Sequence, residues 1–245
     1  MEVHTHTHTE RKKWHHYFWE FFMLFLAVTL GFFVENLREH FVETKREKQY
    51  IRSFAADLKK DIAQLDSLTQ KRIVRKIQID SLNFILQTPD PDLYGKQLYY
   101  YSRYLPRPYI FVSNDATVQQ LKSSGNLRLI HNQAVTDTIL AYDRECHFID
   151  YIRNREDMLV QRIFSLIDEL FDPVVYDQMN LYDIEFKEPP GNPKLLTKDK
   201  KILMQFMSEL HYLKTVNVGQ IGWFQRLAQR AKTTLGFLQK EYHLE

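Results

Sequence analysis

Apolar positions along this chain fall into one unbroken block and three spaced stripes. The block is residues 17–35, YFWEFFMLFLAVTLGFFVE, in which positions 21–34 carry no charge. At about 1.5 Å per residue, positions 18–34 cover about 25 Å, slightly less than a hydrocarbon core of about 30 Å. Trp14, Tyr17 and Trp19 stand where an aromatic interface belt belongs, and Lys12 and Lys13 can snorkel beside them. A buried core helix is the competing reading. No later segment is apolar enough to enclose a helix that is apolar all round, so a transmembrane helix over 17–35 is expected.

The stripes follow helical spacing. Ile51, Phe54, Leu58, Ile62, Leu65 and Leu68 recur by threes and fours in a stretch without Gly or Pro, predicting a helix over about 47–87. If the span continues into it without a break, the rod is about 108 Å long. Residues 38–48 are charged and lack a stripe, so any bend is expected there. Val135, Ile139, Tyr142, Cys146, Ile149, Leu159, Ile163 and Leu170 mark a second helix, about 133–171, opened by Asn132 and stopped by Asp172 and Pro173. Ile202, Phe206, Leu210, Leu213, Phe224, Ala228, Ala231 and Leu238 mark a third, about 198–243, opened by Thr197. Gly219 and Gly222 weaken its middle by about 1 kcal/mol each relative to Ala, enough for a kink.

Between the first two helices lies a segment crowded with Tyr94, Tyr99, Tyr100, Tyr101, Tyr104 and Tyr109, suited to a half-buried cap and equally to a binding surface. Asn114 or Asp115 caps a short helix that closes at Gly125. Residues 172–196, with Pro189, Pro190, Gly191 and Pro193, read as a long connection. Three stripes of similar length pack side by side. The expected fold is all-α: an N-terminal transmembrane helix continuing into an elongated antiparallel three-helix bundle with a short-helix cap. The expected division is a disordered His-rich tail (1–16), the span (17–35) and a helical bundle domain (36–245).

At 100° per residue, Glu20, Ala27, Gly31 and Arg38 share one narrow face of the span, opposite a Phe-rich half. Small residues four apart let another helix approach, so Glu20, Ala27 and Gly31 form a candidate packing face for a second copy or a membrane partner. A lone span with an incidental small pair is the other reading.

Two stretches together resemble an uncharacterised bacterial family of single-span membrane proteins with a helical domain of unknown function. They are HYFWEFFMLFLAVTLGFFVE at the N-terminal end, and NDATVQQLKSSGNLRLI at 114–130 followed by the helix containing YDRE at 142–145. The resemblance implies a span plus a helical domain in a bacterial cell membrane and carries over no catalytic residue.

Composition narrows the function classes. The formal net charge is +2 with both signs interleaved, which gives no footprint for nucleic acid. Its one basic cluster, KRIVRK at 71–76, reads as a solvated helix face. A single cysteine, Cys146, rules out an internal disulfide. His4, His6, His8, His15 and His16 form a tract that would hold transition metals weakly and unselectively, so neither a metal nor another cofactor is expected. Ala27 and Thr29 resemble a signal cleavage site, but the apolar run continues past them, and an uncleaved signal anchor is preferred.

Catalytic patterns are missing. No histidine has Glu three residues before it, as a bundle di-iron site needs, and there is no Walker loop, G-x-S-x-G or H-E-x-x-H. Asp143 and His147 share a helix face at a spacing typical of a surface hydrogen bond. Cys146 and His147 are neighbours whose side chains diverge by about 100°. The expectation is a non-enzymatic, membrane-anchored interaction or scaffold module with its C-terminal domain outside the cytoplasm. A ligand-sensing bundle signalling through a separate membrane partner is the alternative. Arg11, Lys12 and Lys13 before the span set this orientation against Arg38, Lys45, Arg46 and Lys48 after it.

Overall fold

The computed structural model describes residues 14–180 and 186–244; the expected disordered tail, up to residue 13, lies outside them. The described residues are all-helical, with no strand and one isolated bridge between Asn180 and Phe186. Six α-helices follow one another: α1 (Trp14–Leu86), α2 (Gly95–Tyr104), α3 (Ala116–Ser123), α4 (Gln133–Leu170), α5 (Pro173–Met179) and α6 (Lys200–Tyr242). Two compact units divide the chain, Met1–Gln49 and Tyr50–Glu245.

In the first unit, α1 is helical from Trp14, so Trp14, His15 and His16 belong to the helix and not to a tail. An 18-residue window of α1 near the N-terminus is long and apolar enough to cross a membrane, and none of it is buried. Residues 38–48 stay within the helix, since Arg, Lys and Glu predominate among them and none is Gly or Pro.

The second unit holds two apolar clusters. One joins Ile51, Phe54, Leu58 and Leu65 of α1 to Val135, Ile139 and Tyr142 of α4 and to Phe224, Ala231 and Leu238 of α6. The other joins Ile79 and Leu82 of α1 to Leu98 and Tyr99 of α2, Ile163 and Leu170 of α4, and Phe206 and Leu210 of α6. Fully burying each of the Val, Leu, Ile and Phe side chains stabilises the fold by about 1.5–3 kcal/mol.

Polar contacts fix the directions of the helices. Tyr142 of α4 donates to Asp61 of α1 at 2.8 Å and Arg72 of α1 donates to Glu156 of α4 at 3.0 Å, so residue numbers rise together and this pair runs parallel. Lys232 reaches Asp66 at 3.2 Å while Arg72 donates to Asn217 at 3.2 Å, so α6 runs opposite to α1. Arg162 faces Glu209 at 3.2 Å and Arg230 faces Glu145 at 3.6 Å, so α6 also opposes α4. The alternating antiparallel order expected for the three stripes therefore does not describe the α1–α4 pair.

The reason lies in the segment read as a cap. Arg75 donates to the Leu105 carbonyl and Arg72 to the Tyr109 carbonyl, Gln64 accepts from Val112 N, and Asp61 accepts from Asn114 N. Asp57 then accepts from Thr117, and Tyr50 from Asn126. The chain after α2 thus returns along α1 and does not sit over its end. Residues 105–117 can extend to about 40 Å, more than the roughly 27 Å of helix between positions 57 and 75. After that return, α4 has to start at the end where Tyr50 lies. A return segment of this kind gives the expected hairpin-like alternation no role.

Local starts and stops mostly follow side-chain chemistry. Asn132 caps α4 by accepting from Ala134 N at 3.0 Å. For α6 the cap is Asp199, which accepts from Lys201 N at 2.8 Å and Ile202 N at 3.1 Å, while the expected opener Thr197 accepts from Asp199 N. A carboxylate satisfies two orphan N–H groups and suits the positive helix end, so it displaces the start to Lys200. The long connection contains a helix of its own, α5, with Asp172 as cap and Pro173 in its first turn. Gly125 takes φ 66°, closing α3 as expected, and Gly95 lets the Pro193 carbonyl approach where a Cβ would collide with it. α6 stays helical through Gly219 and Gly222.

Candidate functional site

Each of the three apolar stripes is interrupted by polar residues, and the interruptions meet at one level of the second unit. On α1 the sequence Leu65, Leu68, Arg72, Arg75, Ile79 keeps the three-four spacing, which carries both arginines into the core at 1% and 0% exposure. On α4 the position is Glu156, and on α6 it is Asn217, both buried. The KRIVRK cluster is therefore not a solvated face: its two arginines point inward, because their positions continue the buried stripe and not the charged surface.

Glu156 receives two donors from Arg72, Nη1 at 3.3 Å and Nη2 at 3.0 Å, and a third from Arg75 Nη1. Arg72 Nη1 also donates to Asn217 Oδ1 at 3.2 Å, and Asn217 Nδ2 donates back to the Arg72 carbonyl at 2.8 Å. The return segment accepts the rest through the carbonyls of Tyr109, at 2.8 Å, and Leu105. Arg72 lies 5.1 Å from the Phe224 ring centre and 5.8 Å from that of Tyr109. Both Nε atoms lack a partner among the described residues.

Two cations and one carboxylate leave one positive charge in excess. Burial works to raise the Glu156 carboxyl, and Arg75 and Arg72 overcome it, holding it below the usual carboxylate range. Burial pushes Arg72 down against the pull of Glu156, yet a guanidinium stays charged in any such setting. This ion group ties three helices and the return segment together at one register.

A second polar group lies between α1 and the helices packed on it. Asp61, 1% exposed, accepts from Asn114 N and Nδ2 at 2.8 Å each and from Tyr142 at 2.8 Å. Cys146 is buried beside Tyr142, and burial pushes its thiol up to about 12, so a reactive thiolate is absent at neutral pH. His147, in contrast, is exposed and sits 3.8 Å from Asp143, which Lys122 also pairs. The neighbours Cys146 and His147 therefore point into different surroundings.

Of the segment's tyrosines, Tyr94 is exposed, Tyr100, Tyr101, Tyr104 and Tyr109 are half-buried, and only Tyr99 lies in the core. Tyr99 is fully buried at 5.0 Å from the Phe171 ring centre and 5.5 Å from that of Tyr176, and its hydroxyl donates to the Lys194 carbonyl and accepts from Asp172 N. In the first unit, Glu20, Ala27 and Gly31 all lie on exposed helix, and a Cβ added at Gly31 would meet nothing within 4 Å. Arg38 donates to Glu35 at 2.9 Å. Among the described residues no group of three or more His, Cys, Asp or Glu side chains could hold a metal ion, and His4, His6 and His8 lie outside those residues.

Comparison with known proteins returns nothing similar: no family model, no curated protein and no solved structure matches this chain.

Proposed function

We propose that this protein is a membrane-anchored helical interaction or scaffold module. Residues 17–35 form a single span in a bacterial cell membrane, and the second unit is a bundle of three long helices, α1 and α4 parallel and α6 opposed to both. The observation that carries the reading is the contrast in burial. The apolar window of α1 has no protein cover, whereas the second unit closes its own cores around the stripes. The resemblance to single-span bacterial proteins with a helical domain is consistent with it. A ligand-sensing bundle with the tyrosine segment as its pocket is the second reading; Tyr99 of that segment packs against Phe171 and Tyr176.

The C-terminal domain is placed outside the cytoplasm, so protease added to intact spheroplasts should digest it; full protection would reverse the topology. In the bilayer, Glu20, Ala27 and Gly31 form the face that packs against a second copy or another membrane helix, which relieves the cost of a carboxylate near lipid. Crosslinking in native membranes tests the face. Gly31→Leu should weaken association by filling the groove, and Phe25→Leu on the opposite side should change little. Equal crosslinking of both variants would reduce the span to an anchor.

A further inference from the structure

The side of α1 turned away from the core in the second unit has a pattern of its own. From Ala63, the positions Ser67, Gln70, Val74, Ile77, Ser81 and Phe84 alternate by four and three, the 3.5-residue period of a coiled-coil seam. Val74, Ile77 and Phe84 are 52%, 58% and 70% exposed, although three apolar side chains on one helix line would be expected to seek cover. The return segment, α4 and α6 all engage other positions of α1, among them Asp57, Asp61, Asp66, Arg72, Arg75 and Asp80.

We propose that this seam is an interface with a second copy of the chain, the two α1 helices lying parallel about a twofold axis. The parallel sense rests on the membrane-anchor reading, because copies held in one bilayer present α1 in the same direction. In such a pair each seam residue meets its own counterpart, Val74 on Val74, Ile77 on Ile77 and Phe84 on Phe84. Charge selects a like helix as occupant. Asp66 and Lys71, five residues apart on the two flanks of the seam, come opposite each other across a parallel twofold pair. Lys71 has no ion-pair partner within the described chain, and Asp66 stays more than half exposed while it pairs with Lys232. Gln70 facing Gln70 pins the register, and Lys60 facing Lys60 ends the seam below Ala63.

Cysteine crosslinking of the full chain in native membranes tests this, since Cys146 is buried and silent. Val74→Cys and Ser81→Cys should give dimers on mild oxidation, and Met204→Cys, equally exposed on α6, should not. Adding Ile77→Glu and Phe84→Glu should lower the dimer yield about tenfold or more. Lys71→Glu should lower it as well, and Asp66→Lys in the same chain should restore part of it; Asp66→Lys also removes the exposed pair with Lys232, so its unfolding midpoint is measured alongside. No dimer from Val74→Cys or Ser81→Cys, or an equal yield from Met204→Cys, overturns the proposal. Carbonate extraction separates the two readings. Dimers from a chain that washes off the membrane support the seam and refute the anchor, whereas an anchored chain without dimers refutes the seam alone.

Discussion

One helix carries two departures from the usual rule of burial. In residues 21–34 of α1 the side chains carry no charge and are exposed; at Arg72 and Arg75 they are charged and buried. The difference lies in what surrounds each stretch. The buried arginines have Glu156, Asn217 and two carbonyls in reach, which compensate part of their lost hydration. The apolar residues have no protein neighbour to exclude water from them, and the stretch is long and apolar enough to cross a membrane.

The largest effect is expected from breaking the buried side of this contrast. Glu156→Gln should destabilise the second unit by about 3–5 kcal/mol, because two guanidiniums then remain buried without a counter-charge. Denaturant unfolding measures it, and a loss below about 1 kcal/mol would mean that water reaches the layer. Replacing Arg72, Arg75 and Glu156 together by apolar residues of similar size should cost far less than the single change, since no uncompensated charge remains.

The exposed side should break by about 3 kcal/mol of insertion free energy. Leu24→Arg places a charge near the middle of the apolar run and should move the chain from carbonate-washed membranes to the soluble fraction. The second unit should keep its unfolding midpoint, since Leu24 lies outside its cores. Unchanged membrane retention would remove the span.

Acid should sharpen the comparison most gently. Glu156 is held below its ordinary value of 4.5, so its contribution is fully present above that pH and is lost as the pH falls from there through the lowered folded value. The stability gap between the parent chain and Glu156→Gln should therefore narrow below about pH 4.5. A gap that stays constant down to pH 3 would show that Glu156 owes the arginines nothing.

Much of the architecture was legible from spacing. The three long helices, the Asn132 cap and the Gly125 turn follow from local chemistry, which the sequence displays directly. The ion layer was half legible. Arg72, Arg75, Glu156 and Asn217 each occupy a stripe position, and a stripe followed through its polar members would have placed them inside. Reading KRIVRK as a run of charges concealed that spacing. Asp199 shows a similar limit: Thr197 and Asp199 are both good caps, and only the backbone path selects between them.

By itself the sequence determined the helices and the apolar run, because periodicity and hydropathy are properties of consecutive residues. Helix direction was decided only in the tertiary structure. A connection between α1 and α4 could double back over an end or run the length of a helix, and both suit a stretch of tyrosines. The choice was made by hydrogen bonds between residues far apart in the chain, from Arg75 to Leu105 and from Asp61 to Asn114. The same long-range pairing brought three separate polar interruptions to one level, where two positive charges and one negative charge could share a buried space.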